Sequence, residues 1–310
     1  MKAIASAPGK IVLSGAYVVL EGAPALVTAV DRYAIADASR PADFVTPEVR
    51  EALRARGEPD SAAPWIDASA LRSEDDRKLG LGSSAAILVA SLAALELRHA
   101  PELDDESLAR RVLRPALEAH RRAQGGGSGI DVIASTLGGT QRCVLVNGEP
   151  QPTSVSLPEG IFIEVWASAR SASTATMLRH VAAFRDRSPD EHRALFSKLH
   201  EAAEHAASAT SSGAFIEALR RQAELLARLG RAASAPIVTD DLEKLDTLAR
   251  RDGGVMLPSG AGGGDVVLFV GPAPSGDELQ RAARHEGYDR LSLRLGARGV
   301  HAAAPAGKLL

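Results

Sequence analysis

An uncharged stretch from Ser83 to Leu95, entered through Leu79-Gly80-Leu81-Gly82, limits the fold of this chain more than any other feature. A segment of that length with apolar residues throughout reads as a helix buried on every side. Gly80 and Gly82 take positive φ at little cost, so successive backbone N–H groups can face one concavity. Ser83 or Ser84 can cap a helix that starts near Ala85. An anion placed there meets free amides and the positive end of the helix dipole, which contributes about 0.3–1 kcal/mol, or about 2 when partly buried. That is too little to hold a nucleotide, so a phosphate-binding reading requires help from other segments. The other reading is a tight turn that caps a core helix. The segment lacks the Gly-Lys-Ser/Thr ending of a P-loop and the spacing of a dinucleotide fingerprint.

Two further glycine-rich segments supply the help. Gln124-Gly125-Gly126-Gly127-Ser128-Gly129-Ile130-Asp131 runs into a helix and delivers Asp131 at its first turn, either as an acid placed for the dipole or as a base or orienting group beside phosphate. Leu257-Pro258-Ser259-Gly260-Ala261-Gly262-Gly263-Gly264-Asp265 lies between a strand and the apolar run Val266 to Val270. Near the start, Ala7-Pro8-Gly9-Lys10 reads as a turn at a strand entry, with Lys10 either solvated or reaching a buried anion. Short β-like runs follow at Ile11–Leu13, Tyr17–Leu20 and 25–30. Residues 41–78 read as loop-rich cover with a short helix at 48–56. Cys143 to Val146 and Ile161 to Trp166 read as strands around the turn Asn147-Gly148. Helical periodicity predicts helices from Asp104 to about Arg122 and over 173–184, 189–209, 215–229, 240–251 and 277–286, with a last strand over 291–295. The histidines at 180, 192, 200 and 205 match no metal spacing and read as exposed helix positions.

Composition excludes several classes. Thirty-six basic residues against 39 acidic ones leave a net charge of −3, with no dense basic block for nucleic acid or an anionic membrane, so a small soluble substrate is expected. Cys143 is the only cysteine, which removes disulfides and Cys-cluster metal sites. The first eight residues are too poor in apolar side chains for a signal peptide, and no run of about twenty apolar residues occurs, so the expected location is cytoplasmic. The length suits two domains with a boundary near residue 156, giving 1–155 and 156–310.

Taken in order, the glycine segments resemble the three motifs of the GHMP kinase superfamily. Ser6-Ala7-Pro8-Gly9-Lys10 with Ser14-Gly15-Ala16-Tyr17 is similar to the first, Gly80 to Ala86 to the second, and Pro258 to Asp265 to the third. Within the superfamily the chain looks most like the phosphomevalonate kinases, on Lys78, on Gly127-Ser128-Gly129-Ile130-Asp131-Val132 and on Trp166-Ala167-Ser168 followed by Ser171-Ala172-Ser173-Thr174. The resemblance implies an α+β, two-domain architecture: an N-terminal domain like the second domain of ribosomal protein S5, a ferredoxin-like C-terminal domain, and ATP with Mg2+ in the cleft between them. The chain would be a monomer or homodimer acting on phosphomevalonate or mevalonate. The implied nucleotide contacts are Lys78, Gly80, Leu81, Gly82, Ser83, Ser84, Ala85, Gly260, Gly262 and Gly263, with Ser84 also on the metal. Asp131 would orient or deprotonate the acceptor, and Lys10 would pair with Asp131 and stabilise the transferring charge. Ser128, Arg170, Ser173, Thr174 and Ser259 would contact the acceptor, with Lys78 and Arg170 as candidates for its charge. Two residues depart from the family pattern: Ala16 stands where a Glu is usual, and Leu257 where a Lys is usual. They leave open a ligand-sensing protein that kept the fold. The chain is also somewhat short for the family it resembles, and the missing length falls mainly in 41–78, where part of the acceptor site is expected.

Overall fold

The computed structural model describes residues 3–168 and 174–303. Its first strand, β1 (Ile4–Ser14), is buried along its whole length and pairs antiparallel with the long β2 (Ala25–Pro41). Pro8 and Gly9 lie within β1, at a register shift, rather than in a turn before it. A Cβ on Gly9 would come within 2.6 Å of Leu71 Cδ2 and 2.8 Å of the Leu81 carbonyl oxygen, so glycine is required for the chain carrying Leu81 to lie against the strand.

Tyr17 to Leu20, expected as a strand, is instead entered at Tyr17 with φ 66 and forms a 3-10 turn over Val18–Glu21. The Tyr17 hydroxyl donates to the carbonyl of Ala261, and this tertiary contact overrides the β preference of Tyr-Val-Val. The 41–78 region is more ordered than expected. It contains α1 (Pro47–Arg56), capped by the Thr46 hydroxyl, and β3 (Pro64–Asp67), which pairs with β2.

Next come α2 (Ser83–His99), α3 (Asp105–Gln124), α4 (Ile130–Leu137), β4 (Thr140–Val146) and β5 (Glu149–Ser154). The Asn147-Gly148 turn joins β4 to β5, not to Ile161–Trp166. Pro150 and Pro152 hid β5 from the sequence reading, and an edge strand is where prolines are tolerated. As its composition required, α2 is buried on nearly every side and packs on β1 and β2.

The second half runs through β6 (Phe162–Ser168), α5 (Thr174–Arg187), α6 (Pro189–Ser208), α7 (Ser212–Ala233), α8 (Asp240–Arg251), β7 (Val255–Pro258), β8 (Val266–Gly271), α9 (Asp277–His285) and β9 (Tyr288–Leu291). Its antiparallel sheet has the order β7-β8-β6-β9, the split pattern of a ferredoxin-like unit with extra helices in the first crossover. The strand expected over 291–295 ends at Leu291. Leu295 makes a single bridge to Val30, and β10 (His301–Ala302) pairs with β1, completing the first sheet as β10-β1-β2-β4-β5. We propose the boundary near residue 156 as the passage between the sheets, with the chain end returning to the first. One hydrophobic cluster joins Leu26, Leu81 and Leu88 to Phe215, Leu257 and Leu268 across both halves.

His192 corrects the expectation of exposed histidines. It is buried, its ring stacks on Phe196 with centroids 3.9 Å apart, and Nε2 lies 3.8 Å from Glu21. Burial lowers its pKa, assisted by the Arg185 charge and opposed by Glu21. The unfolded chain therefore takes up the proton first as pH falls through about 6.5, so the native state loses stability in that range and below. Thermal midpoints at pH 7.5 and 5.5 should drop less for His192→Leu than for the wild type.

Candidate functional site

The site is assembled on β1. The Lys10 N–H donates to the Leu81 carbonyl at 2.8 Å, which fixes the second glycine segment against the strand. Two residues along, the Val12 N–H donates to Ser259 Oγ at 2.9 Å and Ser259 Oγ donates to the Val12 carbonyl at 3.1 Å, which fixes the third. At the strand end, the buried Gln222 of α7 accepts from the Gly15 N–H and donates to Ser14 Oγ.

The expected serine cap on α2 does not form. The N-cap is Gly82 at φ 74, the helix starts at Ser83, and no side chain caps it. Both serine hydroxyls therefore remain available beside the first-turn amides, which an α-helix leaves without intrahelical acceptors. The lysine stem explains the glycine: a Cβ on Gly82 would lie 2.8 Å from Lys10 Cε and 2.9 Å from Lys10 Cγ. Beyond Gly82, Lys10 Nζ lies 3.5 Å from Asp131 Oδ2 in the first turn of α4, with the lysine side chain 10% and the aspartate side chain 33% exposed.

Two cavities meet at this pair. The larger, about 520 Å3, is bordered by Lys78, Gly80, Gly82, Ser83, Ser84 and Ala85, by the Gly125 to Gly129 loop, and by Thr174. The smaller, about 150 Å3, is bordered by Val12, Ala16, Val19, Ile130, Gly260 and Ala261 among others. Lys10, Asp131, Gly127, Ser128, Thr174 and Leu178 border both. A third space, about 790 Å3, opens where α7 meets α8 and touches none of the expected site residues.

Most of the residues expected from sequence thus converge, but some serve the frame. The Leu81 side chain is buried and its carbonyl holds Lys10. Ser259 is engaged by Val12. Gly262 and Gly263 pack on Ile237: a Cβ on Gly262 would fall 2.2 Å from the Ile237 carbonyl oxygen, and the Gly263 N–H donates to that oxygen. Arg170 and Ser173 lie outside the described residues. The 41–78 region, expected to supply part of the acceptor site, contributes only Lys78 among the described lining residues.

The sequence reading missed His120, Asp265 and Tyr17 as lining residues. Asp265 adjoins a glycine motif and could have been noticed for that. His120 carried no local signal. Burial holds the Tyr17 phenol well above its ordinary pKa and keeps it a hydrogen-bond donor.

The lining fits a nucleotide and a hard divalent ion. Amides at a helix start and two lysines suit phosphates. Among the described residues no group of three or more His, Cys, Asp or Glu side chains could hold a metal. A magnesium ion here would therefore be held largely by phosphate oxygens and water, with few protein ligands, as this ion commonly is.

This cleft between two α+β halves has the form of a phosphate-handling site. Residues 51–139 match the family described as GHMP kinases N terminal domain. The chain is 29% identical to the mevalonate kinase of Archaeoglobus fulgidus over 290 residues, covering 88% of this chain and 94% of that one. It is 27% identical to the phosphomevalonate kinase of a Streptomyces species, covering 85% and 88%. A solved Streptococcus pneumoniae phosphomevalonate kinase, in complex with phosphomevalonate and AMPPNP, superposes with a TM-score of 0.75 at 19% identity, over 94% of this chain and 99% of that one. The match over 51–139 is to the GHMP kinase N-terminal domain, and the two-part α+β fold is the one these kinases have. Among the described residues no helix is long and apolar enough to cross a membrane.

The Gly82 contact is directly testable. Gly82→Ala should lower stability by about 1–3 kcal/mol through strain and the clash with Lys10. Gly125→Ala, at φ 68 with nothing within 4 Å of its Cβ, should cost less, as read by denaturant midpoints.

Proposed function

We propose that this chain is an ATP-dependent kinase of the mevalonate type that transfers a phosphoryl group to phosphomevalonate, giving the diphosphate. The observation that carries the phosphotransferase reading is the shared wall: Lys10 and Asp131, 3.5 Å apart, border both cavities. The larger cavity would take the nucleotide phosphates on the first-turn amides of α2 and on Lys78. The smaller would take the short aliphatic body of the acceptor against Val12, Val19 and Ile130. Transfer then crosses at Lys10, whose ammonium stabilises the charge of the moving group. Such chemistry needs positioning and positive charge more than covalent catalysis. Bound Mg2+ would neutralise charge on the phosphate oxygens, with Ser84 Oγ as its protein ligand.

The role of Asp131 depends on the acceptor. The second ionisation of a phosphate monoester lies near pH 6, so a phosphate oxygen needs no base at neutral pH and Asp131 would hold Lys10 and orient the acceptor. A hydroxyl acceptor would give its proton to the Asp131 carboxylate.

Mevalonate is the second reading, and one observation favours it. Among the described residues Lys10 is the only cation bordering the smaller cavity, whereas phosphomevalonate brings a phosphate as well as a carboxylate. Lys78 borders only the larger cavity, which supports a nucleotide role for it. The phosphomevalonate reading therefore leans on Arg170.

ADP release measured with mevalonate, phosphomevalonate, galactose and homoserine decides between them. Phosphomevalonate is expected to turn over fastest, and faster use of mevalonate would overturn the acceptor assignment. Nucleotide binding without turnover on any of the four would favour a sensor.

Asp131→Asn should lower kcat at least about 100-fold, through misplacement of Lys10 and the acceptor, while leaving nucleotide affinity nearly intact. Ser84→Ala should shift the magnesium titration of activity to higher concentration. An unchanged titration would remove Ser84 from the metal.

A further inference from the structure

His120 borders the larger cavity and has no part in the reading above. It stands on α3 one turn before the Gly125 loop, is half-buried, and does not border the smaller cavity. No hydrogen bond, ion pair or ring contact is made by its imidazole among the described residues, while the neighbouring Gln124 side chain is held by Glu48 at 2.9 Å. A partly buried ring nitrogen without a partner is unfavourable unless a ligand or water satisfies it.

Charge indicates the kind of ligand. Among the described residues the charged lining of the cavity is Lys10 and Lys78 against Asp131 and Asp265, a balance of zero. A nucleotide phosphate chain brings several negative charges, so a neutral lining must supply additional donors. The α2 amides are one set, and His120 brings a ring N–H from a different helix. Metal ligation suits it less, since no cluster of His, Cys, Asp or Glu able to hold a metal includes it among the described residues and magnesium prefers oxygen.

We propose that His120 is a nucleotide-binding residue whose ring N–H donates to a phosphoryl oxygen in the larger cavity. This rests on the reading of that cavity as the nucleotide site. It separates His120 from Lys10 and Asp131, which touch both cavities.

The experiment is titration calorimetry of AMPPNP with magnesium into the wild type, His120→Ala and His120→Gln, together with steady-state kinetics. His120→Ala should weaken AMPPNP binding about ten-fold, and His120→Gln, which retains an N–H donor, should recover part of the loss. The KM of the acceptor and the thermal midpoint of the ligand-free protein should stay at wild-type values, which a merely structural histidine would not allow. Wild-type AMPPNP affinity in His120→Ala would overturn the inference and leave the nucleotide reading standing. Failure of the wild type to bind any adenine nucleotide would overturn both.

Discussion

The site depends on one backbone hydrogen bond, from the Lys10 N–H to the Leu81 carbonyl. It forms only because residue 9 has no side chain. A Cβ there would collide with that same carbonyl oxygen, and the second glycine segment would be held off the strand. With the contact made, Gly82 lies against the lysine stem, the first turn of α2 faces the cavity, and Lys10 extends beyond to Asp131. Ser259 on Val12 and Gln222 on Ser14 and Gly15 repeat the device further along β1. A fully buried strand thus sets the spacing between segments that are far apart in sequence, and the core cluster spanning both halves holds that spacing.

The helices were legible because their signals are local. The apolar periodicity and end signals of α8 gave Asp240 to Arg251 without error, and α6 and α3 were placed to within one or two residues at each end. The convergence of three glycine segments was legible through a resemblance, since nothing in the spacing alone brings residue 10 to residue 131. What stayed hidden depends on contacts between distant residues. Tyr17 gives up its strand preference for a carbonyl 244 positions away. His192 looks like any polar helix residue until Phe196 and Glu21 are seen around it. Ser259 sits in a motif associated with ligand, yet Val12 engages its hydroxyl, a division of labour between site and frame that the motif does not reveal.

The same geometry changes the weight of the two departures from the family pattern. Leu257 is 1% exposed, lies in β7 within the shared core, and borders neither cavity. A lysine at that depth would need a buried partner or would lose its charge, so leucine there reads as a core residue and not as a missing substrate contact. Ala16 differs, because it borders the smaller cavity directly. A glutamate in its place would add a second described carboxylate, beside Asp131, to the wall that has Lys10 as its only described cation. With alanine at 16, Asp131 is the only carboxylate among the described residues of that wall. Of the two departures, only this one lies on a cavity wall, where it removes a negative charge.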